Sequence, residues 1–147
     1  MLKFKKSVLI KTSIIKLFEF HRNTNNLTLI TPKYVKIKIL SISDLPLVKG
    51  SIISLEIKFL IFTNKWIVNI SECKPPYLIK DFQIKGLFGF WHHSHLFEET
   101  EAGTIMTDFV EFKPPLGIIG YLGFPFIYFL LYLMFTYRHK LTKTIFK

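Results

Sequence analysis

The sequence predicts an α+β fold, with a curved antiparallel sheet of about seven strands around one long C-terminal helix and two short helices after the first strand. Three observations predict it. Apolar stretches with a two-residue period recur between positions 35 and 113, and the turns between them are too short for helical crossovers, so the strands run antiparallel. A single long apolar segment follows Pro114-Pro115 and is available to cover the concave side of the sheet. The chain has 147 residues, 50% hydrophobic and 16% aromatic, which suffices for one real core and excludes a disordered polypeptide.

Residues 3–11 alternate lysines with apolar residues and predict an opening strand. Ser13 is a candidate cap for a short helix, Ile14 to Arg22, in which Ile14, Leu17 and Phe18 share one face. Asn23, Asn25 and Asn26 end that helix, and a second helical turn runs to Thr31 before Pro32. Val35, Ile37 and Ile39 then alternate with Lys36 and Lys38, the pattern of a strand with one wet face. Ile52–Phe62 and Lys65–Glu72 predict a hairpin turning at Thr63-Asn64. Strands over Tyr77–Lys85, Phe90–Glu98 and Thr104–Lys113 follow, and a helix from about Gly117 to Thr144 closes the chain. No repeat or linker interrupts the order, so residues 1–147 are expected to form a single domain. This is the layout of a helix-grip fold, with a cavity between sheet and helix.

Charge narrows the partners. Twenty basic residues against ten acidic ones give a net charge of +10, and only Arg22 and Arg138 are arginines. Base and phosphate recognition relies on arginine forks, so nucleic acid is not an expected partner. Lys3, Lys5, Lys6, Lys11 and Lys16 crowd the start; Arg138, Lys140, Lys143 and Lys147 crowd the end. Such ends suit peripheral contact with an anionic membrane. Positions 1–18 have no continuous apolar core or small-residue cleavage site, which predicts a cytoplasmic protein. Leu116 to Phe135 carries no charge over 20 residues, long enough to span a bilayer of roughly 30 Å hydrocarbon thickness. Gly120, Gly123 and Pro125 weaken a continuous span, and the sheet needs this segment as cover. A buried or interfacial helix is therefore the expectation, and a membrane-anchored protein with a span at 116–135 the alternative.

The most distinctive stretch is Asp81-x-Gln83-x-x-Gly86-x-x-x-x-Trp91-x-His93-x-His95-x-Phe97. It continues as Gly103-Thr104-x-x-x-Asp108-x-Val110-x-Phe112-x-x-Pro115-x-Gly117, and the chain ends with Phe135-x-Tyr137-Arg138. Together with Leu27-x-x-Ile30-Thr31-Pro32, these motifs make the chain resemble ligand-binding SRPBCC proteins of the START-like superfamily. Leu87, in place of a usual proline, and Phe112, in place of a frequent tyrosine, depart from the pattern. The resemblance implies a helix-grip binding module. Its superfamily includes lipid carriers, polyketide binders and aromatase/cyclase enzymes.

Trp91, His93, His95 and Phe97 are spaced by two, so a strand puts all four on one face; Asp108, Val110 and Phe112 share a face of the next strand. Facing a cavity, the imidazoles would fix the polar end of an otherwise apolar ligand. The expected ligand-binding residues are Phe59, Trp66, Phe82, Trp91, His93, His95, Phe97, Asp108, Leu122, Phe126 and Leu130, with Ile119 also in the apolar lining. The expected function is binding or carriage of a hydrophobic small molecule, lipid or polyketide-like. The competing expectation is a cyclase- or hydrolase-like enzyme using His93, His95, Asp81 and Asp108. No catalytic motif is present, so no catalytic residue is assigned. His92, His93, His95 and an aspartate offer metal-ligand chemistry, but the sequence forces no third ligand, and no metal or cofactor is assigned. Cys73 is the sole cysteine, which excludes an intramolecular disulfide.

Overall fold

The computed structural model describes residues 1–147. Strand β1 (Leu2–Ile10) leads into helix α1 (Ile14–Arg22) and a 3-10 helix (Thr24–Ile30). Strands β2 (Val35–Ile42), β3 (Ile52–Phe59), β4 (Phe62–Lys74), β5 (Leu78–Lys85), β6 (Phe90–Thr100) and β7 (Gly103–Lys113) follow. Helices α2 (Ile118–Leu122) and α3 (Phe124–Ile145) end the chain. All seven strands form one antiparallel sheet in the order β1-β7-β6-β5-β4-β3-β2. The strands curve around the C-terminal helix in an α+β helix-grip fold, as the sequence predicts.

Local chemistry explains the early elements. The Ser13 hydroxyl accepts from the Lys16 N–H and opens α1, which buries Ile14, Leu17 and Phe18. Asn23 ends α1 and caps the 3-10 helix by accepting from the Asn25 N–H. The β3–β4 hairpin differs from expectation. It turns at Leu60-Ile61, with Phe59 opposite Phe62, and not at Thr63-Asn64. A turn at 63–64 would have set Leu55 against Glu72 and Ile53 against Lys74. The observed register pairs Leu55 with Trp66 and Ile53 with Val68, both toward the core. Apolar cross-strand pairing outweighs the turn preference of asparagine. Its local cost is a left-handed Leu60, at φ 54°.

Two apolar clusters fill the concave side. One gathers Ile10, Leu17, Phe18, Ile70, Ile79 and Met106 beneath α1. The other joins Phe4, Trp91, Val110 and Phe112 of the sheet to Leu131 and Phe135 of α3. Trp66 packs against both, and between them they leave a hollow.

The C-terminal segment is not one helix. It breaks at Gly123, which ends α2 and begins α3. Pro125 causes the break: inside a longer helix it could not donate to Tyr121, and its ring would press on that carbonyl. In the first turn of α3 it costs nothing. This also overturns the alternative of a span at 116–135. No helix is long and apolar enough to cross a membrane. Leu116 at φ 62° lies outside any helix. The uncharged part of α3, residues 124–137, reaches only about 21 Å at 1.5 Å per residue.

Candidate functional site

A cavity of about 390 Å³ lies between the sheet, the 3-10 helix and α3, and 22 of its 33 lining residues are hydrophobic. Its apolar wall includes Ile57, Phe59, Trp66, Ile127 and Leu130. It also reaches Tyr34 before β2, Leu87 between β5 and β6, and Pro115 after β7. The charged and imidazole groups on its surface are His21, Asp81, His93, His95 and Arg138. The cavity is thus apolar along most of its wall and strongly polar at one place, an arrangement suited to an amphipathic small molecule.

The polar place is built from five elements. Asp81 of β5 pairs directly with His93 of β6, and His95 of β6 pairs with Asp108 of β7. Asp108 lies behind the imidazoles, 3% exposed. Its Oδ1 accepts from His93 Nε2 at 2.8 Å, and its Oδ2 accepts from His139 Nε2 of α3 at 2.6 Å. His95 Nδ1 comes within 2.8 Å of the same Oδ1, but off the hydrogen-bonding line. Asp81 Oδ2 stands 3.7 Å from His93 Nδ1, too far for a hydrogen bond. From α1, His21 donates through Nδ1 to the Leu17 carbonyl at 2.8 Å and brings its ring 5.6 Å from that of His95.

These environments separate the titrations. Burial pushes Asp81 up to about 6. Asp108 is equally buried, and burial alone would raise it. The imidazoles of His95, His139 and His93 overcome that effect and hold the carboxyl well below its ordinary 3.8. Burial lowers His93 and His95, and it lowers His21 to about 3, so all three rings are neutral at physiological pH.

Of the residues expected to bind ligand, Phe59, Trp66, Trp91, His93, His95 and Leu130 line the cavity. Asp108 reaches it only through the histidines. Phe97 packs under α1 against Phe18 and His21, at ring-centroid distances of 5.5 and 5.4 Å. Three expectations are corrected outright, and Ile119 with them. Phe82 is exposed because strand alternation turns it outward when its neighbour Asp81 turns in. Leu122 and Ile119 belong to the separate helix α2 and are exposed. Phe126 is 65% exposed because α3 faces the cavity with Ile127, and adjacent helical residues lie about 100° apart. His21, Arg138 and His139 were not among the expected site residues. The signal was helical spacing: His21 continues the Leu17 face of α1, and His139 continues Leu131 and Phe135 along α3.

Fold and site together define a helix-grip protein whose cavity is apolar with one buried polar cluster. No family model and no curated protein matches the sequence. Solved structures do match its shape. A protein of Thermus thermophilus superposes with a TM-score of 0.79 at 12% identity, covering 97% of this chain and 95% of that one. Ara h 8.0201 gives 0.65 at 12% identity over 97% and 98% of the two chains. StfQ, a di-domain ARO/CYC protein of the steffimycin biosynthetic pathway, gives 0.74 at 11% identity, over 98% of this chain and 50% of StfQ. At these identities the likeness establishes the fold.

Proposed function

We propose that the protein binds and carries a hydrophobic small molecule with one polar end, of lipid or polyketide-like character. The observation that carries this reading is the cavity itself. Its volume of about 390 Å³ falls within the roughly 300–1,000 Å³ range of small-molecule sites. An apolar body would lie against Phe59, Trp66, Ile127 and Leu130, and a polar end against His95, Asp81 and Arg138. Native mass spectrometry of the purified protein tests it by detecting a co-purifying apolar mass. The fluorescent fatty acid cis-parinaric acid gives the second readout. Leu130→Trp, which fills the cavity, should weaken its binding at least about tenfold with the circular dichroism unchanged. No bound mass together with no saturable probe binding, or equal binding by the filled variant, would overturn the reading.

The buried histidine–carboxylate cluster favours a second reading, a cyclase- or hydrolase-like enzyme acting on the bound molecule. Turnover separates the two: an enzyme converts its substrate and loses that conversion in His95→Ala, whereas a carrier releases the bound molecule unchanged and His95→Ala only weakens its hold on the polar end. Peripheral contact with an anionic membrane belongs to either reading. It is supported by the exposed apolar outer face of α2 and α3 and by Lys6, Lys140 and Lys143, which meet at one hollow between β1 and α3.

A further inference from the structure

We propose that Asp81, His93 and His95 bind one divalent transition-metal cation, leaving a coordination position open to the cavity. The pairing of β5 with β6 sets Asp81 opposite His93, and His95 lies two residues along the same face. One donor atom from each of the three lies within 4.8 Å of the other two. The Asp81 Oδ2 to His93 Nδ1 separation of 3.7 Å is too long for a hydrogen bond. It is close to the edge of about 3.4 Å that two ligands share around a tetrahedral ion with bonds of about 2.0–2.1 Å.

The surroundings prepare these groups as ligands. His93 spends its Nε2–H on Asp108, which leaves the Nδ1 lone pair turned toward Asp81. A carboxylate behind a ligating imidazole fixes its tautomer and orientation, and Asp108 stands in that relation to His93. His95 turns its Nδ1 toward the same carboxylate, 2.8 Å from Asp108 Oδ1, which leaves Nε2 as its nitrogen without a protein partner. The formal charge of the pocket also fits. Asp81 and Asp108 contribute two negative charges against the one positive charge of Arg138, which faces the same cavity. Imidazole nitrogens with a single carboxylate suit zinc, iron, nickel or copper over calcium or magnesium. Two histidines and a carboxylate with a vacant position form a set capable of activating water or polarising a carbonyl.

The test uses the tag-free, full-length protein after dialysis against a chelator, titrated with zinc chloride by calorimetry. One equivalent should bind. Asp81→Asn and His95→Ala should each weaken binding at least about tenfold. His92→Ala, on the opposite face of β6, and Cys73→Ser should leave it unchanged. Cobalt(II) should give visible ligand-field bands without a thiolate charge-transfer band, and should broaden the ring-proton resonances of His93 and His95. That last readout needs no substitution and decides the matter if a variant fails to fold. Absence of saturable binding, zinc affinity untouched by Asp81→Asn, or broadening centred on other histidines overturns the proposal. Such a result with cis-parinaric acid binding intact overturns the metal site alone.

Discussion

Three imidazoles crowd the Asp108 carboxylate where water does not reach, so protonation at this place is tied to folding. The sign follows from each group. His21, His93 and His95 have folded pKa values depressed below 6.5 by burial, His21 to about 3. The unfolded chain therefore binds protons that the folded chain refuses. The stability these rings contribute is complete above pH 6.5 and is lost as pH falls toward their folded values. Asp108 acts with the same sign below 3.8. Asp81 opposes them: with its pKa raised from 3.8 to about 6, its contribution is full below 3.8 and lost as pH rises through 6. Three rings outweigh one carboxyl, so the Tm should fall steadily between about pH 7 and pH 4, and His21→Leu should make the fall shallower. Thermal melts across that interval check both; a Tm that rises on acidification would contradict the assignment. The His93–His95 row was legible in the sequence because a strand's period of two is fixed by its backbone. His21, Arg138 and His139 were not, because the angle at which a helix rolls onto a sheet is set by tertiary packing.

At the level of elements, the β6–β7 hairpin shows how one position holds two strands and a loop in register. Thr100 pairs with Gly103, which sits at φ +134°, and a Cβ there would collide with the Ile10 carbonyl oxygen at the end of β1. Gly50 offers a control, with φ +92° and open space around its Cα. Gly103→Ala should therefore destabilise by more than Gly50→Ala, the difference being about 1–2 kcal/mol. Urea denaturation of the two variants measures it, and equal midpoints would show that the contact with β1 yields freely. The same contrast between local preference and packing explains what the sequence made legible among the elements. The capped helix α1 and the alternating strands were readable because their signals are local. The β3–β4 turn was misjudged because the asparagine signal is local whereas the Leu55–Trp66 pairing that overrides it is not. The break at Gly123 was readable in its residues, since Gly120, Gly123 and Pro125 already argued against a continuous helix, but their effect on which side chains face inward was not.

For the whole molecule, the central tension is between a chain of charge +10 and an outer face on α2 and α3 that carries almost no polar group for half its length. Leu116, Ile118 and Leu122 are each about four-fifths exposed, and Phe126, Phe129, Tyr132 and Leu133 continue the apolar face along α3. Exposed apolar surface of this extent is rare unless something covers it. The face ends in Lys140 and Lys143, and Lys6 of β1 lies over the Tyr132 ring at 4.2 Å. An apolar stripe with lysines at its end lies naturally in the plane of a membrane interface, aromatic and aliphatic side chains inward and ammonium groups at the anionic headgroups. In that orientation Pro115 and Ile127, which border the cavity, stand next to the lipid-facing residues Leu116 and Phe126. We therefore expect the protein to float with vesicles containing phosphatidylglycerol and to bind neutral phosphatidylcholine vesicles more weakly. Each lysine near the surface contributes about 1 kcal/mol, so added salt should weaken the attachment. Leu122→Asp and Phe129→Asp should reduce flotation severalfold at constant salt, because both residues are exposed and neither supports the core. Flotation that is independent of both substitutions and abolished by salt would assign the contact to the lysines alone, and no flotation with anionic vesicles would remove the membrane from the function.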